Sequence, residues 1–221
     1  ASGREGLLAL LRSLQFEHGA EIIIQGYTCV ALPNAIHTTG YTPVYADIDK
    51  ETLNIDPTAV QGRITNRTRA IICQHTFGIP ADTNRLKEIC NQHNLILIED
   101  CAHVLPDKSG PDTLGKEADY LLLSFGRDKA LSGIAGGAIV ARNKAAEDAL
   151  TNEEKEALPL SKTTILRLLL YAPVYHKTRF IYGLLGIGKA FLLLCSKLGF
   201  LVVRGLFYVM PTSTSTTGGS K

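Results

Sequence analysis

The sequence predicts an α/β fold, a mostly parallel sheet sandwiched by helices, and three observations carry that expectation. Short continuous apolar runs recur between residues 21 and 140, as strands buried on both faces require. Amphipathic segments alternate with them, the pattern that places covering helices on a parallel sheet. Two of the runs end in polar clusters: Leu95-Ile96-Leu97-Ile98 in Glu99-Asp100, and Tyr120-Leu121-Leu122-Leu123 in Ser124-Phe125-Gly126-Arg127-Asp128-Lys129. Open α/β sheets bind ligands at the carboxyl ends of their strands, so one edge would offer a carboxylate, a hydroxyl and an amine.

The elements follow in order. Leu7 to Phe16 has apolar residues at 7, 8, 10, 11 and 14, the spacing of a helix, and is entered through Ser2-Gly3-Arg4 with Ser2 as a candidate cap. Glu21-Ile22-Ile23-Ile24 is a strand, and Gln25-Gly26-Tyr27-Thr28-Cys29 turns from it into a helix broken or begun near Pro33. The stretch Thr42 to Asp49 resembles a strand of the family identified below, and Asp56-Pro57 is an N-cap with Pro at the first helical position. Ala70-Ile71-Ile72-Cys73 is a further buried strand, followed by the loop Gln74 to Asp82. Asp82 caps a helix through Asn94 whose apolar face carries Leu86, Ile89 and Cys90. That helix leads to the two strands with polar ends. Pro106 to Asp119, rich in Gly, Pro and charge, is the loop between them.

At 221 residues the chain suits one domain, or one domain with an appendage. A formal net charge of +2 with interspersed signs points away from a nucleic-acid partner. Cys29, Cys73, Cys90, Cys101 and Cys195 form no CxxC pair, and the expectation is reduced core thiols in a cytosolic, cytoplasmic protein; no signal peptide opens the chain. The acidic residues from Asp47 to Asp56 read as turn and cap formers. They lack the convergent ligand set of a metal site, and no metal is expected.

A carboxylate, a hydroxyl and a lysine at one sheet edge are what pyridoxal phosphate needs. The lysine amine forms a Schiff base, the carboxylate keeps the ring nitrogen protonated, and the hydroxyl holds the phosphate. Lys129, Asp100 and Ser124 could fill these roles. The run IEDCAH, then SFGRDK, then Gly-Gly resembles the DegT-type sugar aminotransferases, fold-type I pyridoxal phosphate enzymes. Glu99, Asp100, His103, Ser124, Phe125, Lys129, Gly136 and Gly137 match that pattern in order and spacing. The resemblance implies that Gly3 and Arg4 lie in a turn facing the cofactor phosphate, that Tyr27 and Thr28 lie close to the cofactor, and that His103 contacts its ring or phenolic oxygen. It places His75, in the loop HTFGIPAD, near the bound ring, either as an acid or base or as a structural residue.

The resemblance further implies an amino-acid donor, usually glutamate, a nucleotide-linked keto-sugar as acceptor, and a homodimer in which each site is completed by the neighbour. Surface-polysaccharide or antibiotic sugar synthesis would be the setting. Related sugar dehydratases carry histidine in place of the lysine, and this chain keeps Lys129. Ala135 stands where many members have Glu, and Glu5 where a small residue is frequent.

The sequence divides into a partial cofactor-binding large domain (1–145), a helical apolar and basic segment (146–210) and a disordered tail (211–221). The family's lead-in and small C-terminal domain are not found, which leaves a second reading: a truncated, non-catalytic relative whose C-terminal segment meets a membrane surface or a partner. A membrane span needs about 20 mostly uncharged residues. Lys177, Arg179, Lys189, Lys197 and Arg204 interrupt every such window, so a helix lying on an anionic bilayer fits the pattern better than a span.

Overall fold

Branched aliphatic residues cluster into strands that the chain must cover on both sides, and the computed structural model shows how. It describes residues 2–106, 114–156, 159–180 and 187–197. The strands are β1 (Glu21–Gln25), β2 (Thr42–Ala46), β3 (Thr68–Gln74), β4 (Ile96–Asp100), β5 (Tyr120–Ser124) and β6 (Gly137–Ala141). They form one six-stranded sheet in the order β2-β1-β3-β4-β5-β6, parallel except for the antiparallel edge strand β6.

Alternate side chains of each strand enter opposite cores. Ile22, Ile24, Ile72, Ile98 and Leu122 pack beneath α1 (Gly3–Ser13), α2 (Ala31–Thr38) and α5 (Lys144–Glu156). Ile23, Ile71 and Leu97 face the other way, against α3 (Pro57–Gln61) and α4 (Thr83–His93). Register keeps each row continuous: Ile24 lies beside Ile72, Ile72 beside Ile98, and Ile98 beside Tyr120.

Local chemistry sets the helix ends. Ser2 Oγ accepts the Glu5 N–H, so α1 begins at Gly3, four residues before the first apolar position of its pattern. Asp56 and Asp82 cap α3 and α4 as expected, accepting from Thr58 N–H and Arg85 N–H. Asp119 ties α4 to the sheet, accepting from Lys87 Nζ at 2.8 Å and from the Leu97 N–H at 2.9 Å.

Three expectations need correction. The strand from Thr42 ends at Ala46, because residues 47 to 55 fold back into a turn closed by an isolated Ile48–Ile55 bridge. The large domain runs past residue 145: the chain divides into Ala1–Pro159 and Leu160–Lys221, and Ala146 and Leu150 hold α5 to the first unit by packing in the α1 core. Cys73, Cys90 and Cys101 are core thiols, but Cys29 is exposed, since it lies in the turn beyond the end of β1. The second unit contains α6 (Lys162–Phe180) and α7 (Ile187–Lys197), packed against each other. The tail 211–221 lies outside the described residues, as do residues 107–113 of the loop between β4 and β5.

Ile72 has no exposed surface and sits at the centre of the sheet. Ile72→Ala should cost about 2–5 kcal/mol, read as a lowered urea midpoint with the slope unchanged.

Candidate functional site

A doubly covered sheet leaves its strand ends as the place for buried polar groups, and the carboxyl edge collects them. Gln25 ends β1, Gln74 ends β3, Asp100 ends β4 and Ser124 ends β5. The strand order changes direction at β1, which has β2 on one side and β3 on the other, so its carboxyl end is a topological switch point. The Tyr27-Thr28 turn lies at that position.

Asp100 is almost fully buried, and its Oδ1 accepts the Ala102 N–H at 2.9 Å. Burial raises its carboxyl above the ordinary value, against the opposing pull of that hydrogen bond and of Lys129 and the nearby histidines. Lys129 follows β5 in a tight turn closed by its own N–H to the Gly126 carbonyl, and its side chain is half-buried.

Ser124 meets the start of α1. A Cβ placed on Gly3 would lie 2.9 Å from Ser124 Cβ, and one placed on Gly137 would lie 2.5 Å from Gly3 Cα and 2.6 Å from Gly3 N. Two glycines therefore let the first turn of α1 touch the ends of β5 and β6. Amides in a helix's first turn lack intrahelical acceptors and favour anions, so this junction joins backbone N–H groups to a serine hydroxyl.

A wall of rings stands nearby. Tyr27 and Phe77 have centroids 6.3 Å apart, and Phe77 stacks on His103 at 6.0 Å with the planes 9° apart. The Phe77 N–H donates to His103 Nδ1, which leaves the His103 proton on Nε2. Phe77 holds φ +53 and is well exposed, a costly state for an aromatic residue, and the sequence reading did not single it out. It also passed over Gln25 and Gln74. Gln25 Nε2 donates to Thr76 Oγ1 and the Tyr27 carbonyl, while Thr28 Oγ1 donates to Gln74 Oε1. A polar residue ending each apolar run was the available signal.

His75 does not reach this surface. Its imidazole is fully buried, Nδ1 accepts the Ala81 N–H at 3.1 Å, and Nε2 therefore donates to Glu99 Oε2 at 3.0 Å. Both nitrogens are occupied, which fits the structural role and leaves none for acid–base exchange with a substrate. Glu99 Oε2 also accepts the Gly115 N–H, while Oε1 has no partner among the described residues. The ligand atoms of His75, Glu99 and Cys101 lie within 4.8 Å of one another. Burial, with the charges of Glu99 and Asp100, pushes the Cys101 thiol up to about 12. His75 and Glu99 are thus joined by a hydrogen bond, with the protonated thiol of Cys101 beside them.

Residues 1–157 match the model of the DegT/DnrJ/EryC1/StrS aminotransferase family. GDP-perosamine synthase of Escherichia coli O157:H7 is 34% identical over 148 residues, 67% of this chain and 41% of that one. The solved structure of DesI in the presence of its TDP-sugar product is 32% identical with a TM-score of 0.63, covering 68% of this chain and 38% of DesI. That of ntda from Bacillus subtilis with bound cofactor pmp is 30% identical with a TM-score of 0.61, covering 67% and 34%. The chain thus spans about two fifths, or less, of the length of these relatives.

Two outcomes follow from this geometry. Gly137→Ala places a methyl group against backbone, which cannot rotate away, so α1 must move; about 1–3 kcal/mol of stability should be lost on a urea curve. For Asp100, the folded chain binds the carboxyl proton more tightly than the unfolded chain, whose value is near 3.8. Its contribution to stability is therefore full below that value and is lost as pH rises through the folded value. Asp100→Asn should leave the cofactor-free chain more stable near neutral pH and flatten its urea midpoint between acid and neutral pH.

Proposed function

The chain belongs to the DegT/DnrJ/EryC1/StrS aminotransferase family, and from that premise we propose that it binds pyridoxal phosphate and transfers an amino group from an amino acid, glutamate by the family's habit, to a nucleotide-linked keto-sugar. One observation carries the reading: Asp100 and Ser124 end adjoining strands β4 and β5, Lys129 follows in the next turn, and the N-terminus of α1 abuts Ser124.

The residues present fit the group. The Gly3 and Gly137 junction is a cradle that a Cβ would fill, and the amides of α1's first turn with Ser124 Oγ would hold the phosphate there. Asp100 is a buried acid whose charge the cofactor-free chain disfavours, so a protonated ring nitrogen would relieve it. Bound pyridoxal phosphate supplies an electron sink that loosens bonds at the donor's α-carbon. The protein's own part is acid–base and positional. Lys129 would hold the cofactor through its amine and, with that amine free, would serve as the base that moves a proton at the donor's α-carbon. Asp100 would hold the proton on the ring nitrogen. His103, presenting its Nε2–H, suits a phenolic oxygen. Tyr27 and Phe77 are rings against which a flat cofactor can lie.

His75 and Glu99 take a positioning role here. The His75 N–H donates to the Asp100 carbonyl at 3.2 Å, so the buried pair fixes the loop to the strand that bears Asp100. Retention of Lys129, where related dehydratases have histidine, supports transfer over dehydration. A second copy of the chain is the partner the family habit supplies, giving a homodimer.

Adding pyridoxal phosphate to the purified chain should produce an absorbance band near the visible edge that borohydride traps. Lys129→Ala should remove the trapped adduct, Ser124→Ala should weaken cofactor affinity about threefold to thirtyfold, and glutamate should shift the band of the parent chain. A chain whose band survives Lys129→Ala would refute the assignment.

A further inference from the structure

Charge divides sharply at the boundary between the two units. From residue 160 onward the sequence holds eight Lys and Arg residues and no Asp or Glu, leaving fifteen basic against twenty-one acidic residues before it. Strong asymmetry of this kind marks a segment with an anionic partner. In the second unit, Lys162, Arg167, Lys177, Arg179, Lys189 and Lys197 are all exposed.

The same helices also expose large apolar side chains. On α6, Ile165, Leu166, Leu169 and Leu170 form one stripe at i, i+1, i+4 and i+5, with Leu169 68% exposed. On α7, Ile187, Phe191 and Leu194 form another at i, i+4 and i+7. Leucine and phenylalanine at that exposure need an apolar neighbour.

We propose that α6 and α7 seat this protein on an anionic lipid bilayer, with their apolar stripes in the headgroup boundary and their basic side chains on the lipid phosphates. The choice among occupants follows from combining the two features. Nucleic acid would satisfy the charge and leave the leucines in water. A second copy of the same unit would cover the leucines but bring together two strongly positive surfaces. A span is ruled out for the described helices, none of which is long and apolar enough to cross a membrane. An anionic interface accepts both features at once, since apolar burial and attraction of basic residues to acidic lipids act together there.

The test is vesicle flotation of the whole 221-residue chain. Binding to vesicles of equal parts phosphatidylcholine and phosphatidylglycerol should exceed binding to pure phosphatidylcholine at least about tenfold, and high salt should reduce it. Leu169→Glu with Phe191→Glu should abolish flotation, and Lys189→Glu with Lys197→Glu should remove the preference for anionic lipid, both with an unchanged circular dichroism spectrum. The second pair keeps the test open if the first fails to fold. Equal binding to both vesicle types, no binding to either, flotation unchanged in both variants, or self-association that the apolar variant abolishes without any lipid binding would each overturn the proposal. The last would point to a protein partner.

Discussion

A sheet covered on both faces can bury almost no unpaired polar group along its strands, and the whole arrangement of this protein depends on that restriction. The strands β1, β3 and β4 are aliphatic through their middles, with successive residues divided between two cores. Polar side chains are displaced to the strand ends, where Gln25, Gln74, Asp100 and Ser124 appear in neighbouring positions. Parallel pairing then sets those ends on a common edge. The site is the place where the strands stop being able to hide their chemistry.

What makes that edge specific is close backbone approach. The start of α1 could not reach Ser124 across a side chain at residue 137, because even a methyl group would overlap the Gly3 backbone. The buried pair His75 and Glu99 works in the same spirit from the other side of the sheet. It spends a histidine on holding a loop, and that loop carries Phe77 to His103. Charged, buried and strained groups gather here, and the aliphatic core surrounding them supplies the rigidity that keeps them in place.

The fold was legible in the sequence because its signals are local. Aliphatic runs gave the strands, and Asp56-Pro57 and Asp82 gave two helix starts that the structure reproduces. The polar ends of β4 and β5 also announced themselves, as did the serine and lysine spacing. Other features depend on contacts between distant residues. Whether His75 faced a substrate or the core turned on Glu99 and Ala81, which are 24 and 6 residues away. The strained backbone of Phe77 has no sequence signature, since positive φ is expected of glycine or asparagine. Ala146 read as the start of a new segment because a short helix shows no periodicity that tells which domain it packs on.

Asp100 shows why such a site is built on a parallel sheet at all. A carboxylate at the end of β4 is desolvated in the folded chain, and neither the Ala102 N–H nor Lys129 and the nearby histidines fully offset that cost. A more exposed strand end would remove the cost and also the purpose, since an acid surrounded by water gives little advantage to a protonated partner beside it. Keeping the acid buried and incompletely satisfied makes the cofactor-free chain less stable than it could be. The same deficit is the attraction available to a cation that enters, so the burial that weakens the empty site is what would make an occupied one selective for a protonated ring nitrogen.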